Sequence, residues 1–246
     1  MLYETAASSD QAVVTRVPAG DEQPPSLDAL FSPQPAETIE AGGALFWQDE
    51  QADHVFLAVE GVFRIVRILS DGRRGITGFI YPGDLIGASL RGRYPYAVEA
   101  VTNARVRRIG RRRFQSHIGT SSELLPELFA RMCDELAEAQ DRMVMLARKT
   151  AEERVCSFLL STARQTGGAR SDSPVVAIPM TRLDIADYLG LTIETVSRTM
   201  SRLMSCGVIR PAGRHAVAVR DADELAALAG EGDENASRAR RRLMAH

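Results

Sequence analysis

Cysteine is scarce. Cys133, Cys156 and Cys206 are the only three, none in CxxC spacing. Such a set makes neither a disulfide framework nor a four-thiolate cluster on one chain. Long apolar runs are missing too. No uninterrupted stretch approaches the ~20 residues a membrane span needs. The opening MLYETAASSDQ lacks the basic and apolar regions of a secretory signal. These absences point to a cytoplasmic protein with no membrane partner. No Ser/His/Asp set, HExxH motif or Walker loop is present, so nothing suggests an enzyme. Lysine is nearly absent: Lys149 is the only one among 30 basic residues. Arginine binds carboxylates, phosphates and guanine edges as a fork, although a GC-rich coding sequence gives the same bias. The net charge of −2 implies no partner by itself.

What is present suits a soluble globular chain. Its 246 residues, 45% apolar and 25% charged, are enough to bury a core in one large domain or two small ones. Residues 1–25 have few large apolar positions and are expected to form a flexible arm. SLDALF, from Ser26, fits a short capped helix. From about 37 to 118 short strands alternate with turn signals. HVFLAVEG, FRIVRIL, ITGFIY and ARVRRIG are β-rich, and Asp71-Gly72 is a hairpin signal. This texture predicts an all-β barrel or roll over 26–120.

At 121 the period changes. Ser121 or Ser122 can cap a helix. Leu125, Phe129, Met132, Leu136, Ala139, Met143 and Leu146 then recur at alternating spacings of four and three. That is a heptad seam. Its flanks are charged, at Glu123, Glu127, Asp134, Glu135, Glu138, Asp141 and Arg142. A narrow stripe fits a dimer coiled coil over 121–148 better than a broad globular face; packing on its own barrel is the alternative.

A further domain is expected over 149–222, followed by a charged tail over 223–246. AEERVCSFLLSTARQ reads as an amphipathic helix, 167–174 as a loop, and VIRPAGRHAVAVRD as a hairpin turning at Gly213. Between them lies the informative segment, 181–205. Thr181 caps a helix with Asp184 three residues on, and Leu183, Ile185, Ala186 and Leu189 are expected inside. Gly190 makes a turn where a positive φ is easiest for glycine. Thr192 caps a second helix with Val196, Met200 and Leu203 inward. This is a helix-turn-helix pattern, with an ordinary helical hairpin as the bland alternative. The outward face carries Ile193, Glu194, Ser197, Arg198 and Arg202, with Thr195 in the first turn. Recognition helices put this part in the major groove. Arg forks onto guanine, and Glu accepts from cytosine. Glu194 and Arg198, four apart, can also pair with each other. Arg182, Arg202, Arg210, Arg214 and His215 can meet phosphates. Residues 181–220 hold six Arg and only three acidic residues, a locally basic module.

A β-roll, a long dimer helix and a winged helix-turn-helix, in that order, resemble the CRP/FNR superfamily of transcription regulators over about 37–221. The fold class is therefore expected to be α+β, with an N-terminal roll like a cyclic-nucleotide-binding domain. MTRLDIADYLGLTIETVSRTMSRLMSCGVI is similar to the FNR-type reading head, whose E-x-x-S-R reads TTGA-like half-sites. The resemblance implies that Glu194, Ser197 and Arg198 are base readers. In the roll, Pro82-Gly83-Asp84-Leu85-Ile86-Gly87 resembles the segment that binds a cyclic-nucleotide phosphate. The glutamate expected next is Ala88, and Tyr94-Pro95-Tyr96 stands where the clamping Arg-Ser pair should be, with Arg91 and Arg93 offset. A buried phosphate would lack its charge partner. The iron–sulfur members carry cysteines near the N-terminus; residues 1–132 contain none.

What remains resembles the FixK subgroup. That implies a homodimeric activator of microaerobic, respiratory or nitrogen-fixation genes. It would bind double-stranded DNA at a TTGA-N-TCAA-like palindrome and recruit RNA polymerase, with no cofactor and no obligatory small-molecule effector. The competing expectation is a sensor holding haem or another small molecule in the roll, for which His54 and His117 are candidate ligands. Arg105, Arg107, Arg108 and Arg111–Arg113 form a basic cluster, read as a solvated face or as a contact with flanking DNA or polymerase. Cys156 and Cys206 are candidate oxidation-sensitive thiols if exposed.

Overall fold

The structure, a computed structural model, describes residues 26–88, 92–166 and 175–231. The expected N-terminal arm, the 167–174 loop, Arg91 and the tail beyond 231 lie outside the described residues. The chain opens on helix α1, Leu27–Phe31, whose cap is Ser26: its Oγ accepts from the Ala29 N–H at 3.1 Å. Eight strands follow: β1 Ala36–Ile39, β2 Ala44–Phe46, β3 His54–Glu60, β4 Phe63–Ile68, β5 Arg74–Ile80, β6 Leu85–Ile86, β7 Ala97–Ala100 and β8 Ala104–Gly110. They form two antiparallel four-stranded sheets, ordered β1-β8-β3-β6 and β2-β7-β4-β5. Asp71-Gly72 turns the β4–β5 hairpin as expected, with the Asp71 carboxylate accepting from the Arg73 N–H at 3.0 Å. Phe46, Phe56, Phe63, Ile80, Ile86, Tyr94 and Val98 are among the side chains that fill the space between the sheets. Each apolar residue of this size contributes ~1.5–3 kcal/mol on burial.

Helix α2, Arg111–Thr120, is not marked by any sequence signal used above. It buries Phe114 and Ile118 with Leu27 and Phe31 of α1 and with Leu124. Ser121 then starts the long helix α3, Leu124–Arg148: its Oγ accepts from the N–H groups of Glu123 and Leu124, at 3.3 and 3.2 Å. Along its 25 residues the heptad seam faces solvent. Leu125, Phe129, Met132, Leu136, Met143 and Leu146 are exposed, Phe129 by 69% and Leu136 by 57%, and Ala139 is half-buried. So the seam does not pack on its own roll. Leu124 and Met145 anchor α3 to the chain instead.

The C-terminal domain comprises α4 Ala151–Gln165, β9 Val175–Ala177, α5 Arg182–Leu189, α6 Ile193–Ser205, β10 Ile209–Pro211, β11 Ala216–Val219 and α7 Ala222–Leu228. Thr150 and Glu153 form a reciprocal capping box at the start of α4. The strands make a three-stranded sheet ordered β10-β11-β9. The charged tail expected from 223 is corrected here. Asp221 caps α7, Leu225 is fully buried, and Ala229 is buried too. The short apolar stripe of α7 packs into the core, so the domain extends past 222. The cores of the two domains touch: Val62, Phe79, Tyr81 and Val101 of the roll pack against the C-terminal core.

Candidate nucleic-acid interface

Helix α5 starts with a reciprocal capping box. The Thr181 hydroxyl accepts from the Asp184 N–H, and the Asp184 carboxylate accepts from the Thr181 N–H at 3.0 Å. This turns Asp184 inward to 3% exposure and Leu183 outward to 52%, correcting the expectation that Leu183 is buried. Gly190 ends the helix in the left-handed region, φ 62°, and its N–H and that of Leu191 both donate to the Ala186 carbonyl. Leu191 is followed by Thr192, whose Oγ1 caps α6 by accepting from the Thr195 N–H at 3.2 Å. Val196, Met200 and Leu203 are buried as expected and lock α6 onto Ala186 and Leu189.

With that face inside, the N-terminal outer face of α6 is fixed. Ile193, Glu194 and Arg198 are exposed and Ser197 is half-buried between them. Glu194 is held below the usual carboxylate range by its own backbone N–H, then by the Thr192 hydroxyl and the Arg198 charge. It is therefore an ionised acceptor. Among the described residues no ion pair engages Arg198. The Thr192 hydroxyl serves the cap, and it also shares a hydrogen bond with the Thr195 hydroxyl, 3.0 Å away. Arg202 is exposed but pairs with Glu152 of α4 at 3.3 Å. Arg182 is half-buried, and burial pushes its pKa down. Arg210 is exposed on β10; Arg214 and His215 are exposed in the β10–β11 turn, a wing beside α6.

Two residues that sequence patterns do not single out tie this module to the rest of the chain. Arg64 of β4 places Nη1 2.8 Å from Asp184 Oδ1 and Nη2 2.6 Å from Glu99 Oε2 of β7. Arg154 of α4 donates to the carbonyls of Lys149, Leu189 and Leu146 at 3.0, 3.0 and 2.9 Å.

The interior of the roll is built from aromatic rings where the resemblance would look for a phosphate. Tyr94 is 3% exposed, stacks on Phe46 with centroids 3.6 Å apart, and donates its hydroxyl to the His54 carbonyl at 2.8 Å. Burial pushes the Tyr96 hydroxyl up to about 12. Arg93 points away, donating to the Asp49 carbonyl. His54 lines a surface cleft of about 270 Å³ with Glu37, Arg108 and Arg113, while His117 lies on α2. No three His, Cys, Asp or Glu gather as a metal site among the described residues. Much of the basic cluster is structural: Arg108 pairs with Glu37 at 2.7 Å, Arg111 donates to the Ala52 carbonyl at 3.0 Å, and Arg107 to that of Ser32. Cys156 is fully buried, and burial pushes its thiol up to about 12, which makes it unreactive; Cys133 and Cys206 are exposed. No described helix is long and apolar enough to cross a membrane.

Comparison with known proteins follows this architecture. Residues 36–121 match the cyclic nucleotide-binding domain and residues 153–228 the Crp-like helix-turn-helix domain. The chain is 40% identical over 207 residues to the nitrogen fixation regulation protein FixK of Azorhizobium caulinodans, covering 80% of this chain and 84% of that one. It is 34% identical over 198 residues to the transcriptional activator protein FnrL of Cereibacter sphaeroides, covering 79% and 80%. The solved structure of FixK2 from Bradyrhizobium japonicum aligns with a TM-score of 0.73 at 36% identity, over 79% of this chain and 96% of that one. A β-rich N-terminal domain, a long helix and a helix-turn-helix thus define a DNA-binding transcription regulator rather than an enzyme. The chain belongs to the CRP/FNR family, in its FixK-like branch.

Proposed function

We propose that the protein works as a homodimer joined along α3, reading a TTGA-N-TCAA-like palindrome and recruiting RNA polymerase at microaerobic, respiratory or nitrogen-fixation promoters. The observation that carries this is the outer face of α6: an ionised Glu194 and, one turn on, an Arg198 that no ion pair engages among the described residues, exposed beside Ser197. That is the chemistry that accepts from a cytosine amino group and forks onto a guanine. Ile193, Arg182, Arg214 and His215 supply neighbouring groove and phosphate contacts. Arg202 reaches a phosphate only by leaving Glu152, and the Thr192 hydroxyl is engaged in the cap with the Thr195 hydroxyl bonded to it. The bare seam from Leu125 to Leu146 supports the dimer, since a stripe this apolar is costly to leave in water. The FixK names of the relatives support the promoter class.

The residues of the roll do not fit a cyclic nucleotide. Ala88 offers no carboxylate, no arginine stands at 94–96, and Tyr94 is packed on Phe46. We therefore read the activity as independent of an obligatory small-molecule effector, in the cytoplasm. Genome-wide mapping of bound sites tests the DNA reading, with palindromes of TTGA-like half-sites expected and any unrelated consensus overturning it. An absorption spectrum and native mass spectrometry of the fresh protein test the effector reading. Stoichiometric haem or nucleotide would sink it.

A further inference from the structure

Helix α5 is held at both ends by guanidinium groups from outside the helix-turn-helix. At its N-terminal end the two oxygens of the buried Asp184 carboxylate are divided. Oδ2 takes the Thr181 N–H at 3.0 Å and hydroxyl at 2.7 Å, while Oδ1 takes Arg64 of the roll at 2.8 Å. Arg64 is itself fixed, with Nε on Glu99 at 2.8 Å. At the C-terminal end, Arg154 links the Leu189 carbonyl of α5 to the Leu146 carbonyl in the last turn of α3. The ring of Tyr188 on α5 lies 5.2 Å from that of Phe79 on β5, and the guanidinium of Arg142 on α3 sits over the Tyr188 ring, 5.4 Å from its centroid.

The capping box of α5 is complete without Arg64, and Arg64 belongs to a different domain. A buried ion pair adds little net stability over apolar packing of the same volume, but it tolerates little change of geometry. Its consequence is thus orientation. Because α6 is locked on α5, whatever fixes α5 against the roll and α3 also fixes the two α6 helices of a dimer relative to each other. That separation must match the spacing of the half-sites along the duplex.

We infer that Arg64, acting through Asp184, is a positioning residue for DNA recognition that sets the half-site spacing the protein accepts. This rests on the dimeric, palindrome-reading function proposed above. The test is a binding titration of the full-length protein against two TTGA half-sites separated by the optimal spacer and by spacers one and two base pairs longer or shorter. Arg64→Gln and Asp184→Asn are compared with the unchanged protein; asparagine keeps an acceptor for the Thr181 cap. Both variants are expected to keep the base preference within each half-site. Their discrimination between the optimal and neighbouring spacers should fall roughly tenfold, and the double variant should fall no further than either single one. If Arg64→Gln fails to fold, Asp184→Asn alone decides. Variants that keep the spacer profile, or lose affinity equally on every spacer, overturn the inference alone. An unchanged protein with no spacer preference overturns both the inference and the dimeric reading.

Discussion

Glu194 and Arg198 stand one turn apart on α6, yet the Glu194 pKa is lowered first by its own backbone N–H and the Thr192 hydroxyl and only then by the Arg198 charge. Among the described residues no ion pair joins the two. If α6 reads DNA as proposed, Arg198 would do so without first breaking an ion pair among the described residues, whereas Arg202 would have to leave Glu152. Replacing Arg198 with Ala is expected to cost ~1–3 kcal/mol per half-site and to relax the preference at one guanine. Titrations against single-base variants check this. A uniform loss with the preference intact would remove Arg198 from the base readers.

Arg214 is exposed in the turn between β10 and β11. Arg214→Ala should weaken all sequences alike and flatten the salt dependence by about one unit of slope, as the loss of one phosphate contact does. Measuring binding at several salt concentrations decides. A changed base preference would mean that the wing reads sequence.

Leu136 and Met143 sit on the exposed seam of α3. Burying an apolar side chain of this size contributes ~1.5–3 kcal/mol, so two glutamates there should outweigh the pairing free energy. The Leu136→Glu, Met143→Glu double variant is expected to sediment as a monomer, with an unchanged circular dichroism spectrum, and to lose palindrome binding. A double variant that still sediments as a dimer places the interface elsewhere.

Asp84, between β5 and β6, has its pKa raised by burial, against the Tyr81 N–H and the Arg131 charge, which lower it. Glu135 and Glu138 on α3 are raised as well, by burial and then by Asp84. The sign follows from linkage. A carboxyl whose folded pKa lies above the unfolded one destabilises the fold fully above the folded pKa and is relieved as pH falls through it. Asp84→Asn keeps an acceptor for the Tyr81 N–H, at present 2.8 Å from Oδ2. It should raise Tm at neutral pH, with the gain shrinking as pH falls into the ordinary carboxylate range. Thermal melts across that range test it; a gain that grows on acidification would reverse the assignment.

Local chemistry sufficed for much of this protein. Ser26, Ser121, Thr181 and Thr192 announce helix starts because a hydroxyl satisfies an N–H two or three residues on, and Gly190 and Asp71-Gly72 announce turns. The outward face of α6 was legible because Val196, Met200 and Leu203 fix which side is inside. Short pieces were not. Strands β1, β2, β6 and β7 have two to four residues each, too few for alternation to register, and α2 was hidden under a run of arginines. Helix α7 is short and its segment charged, so only the core that receives Leu225 reveals it. The partner of the buried Asp184 is Arg64, 120 residues away, and the partners of Arg154 are carbonyls at the ends of two other helices. Periodicity and capping act over a few residues and are written in the sequence. Which guanidinium meets which distant carboxylate or carbonyl is decided only when the two domains pack, because a charge finds its partner through space rather than along the chain.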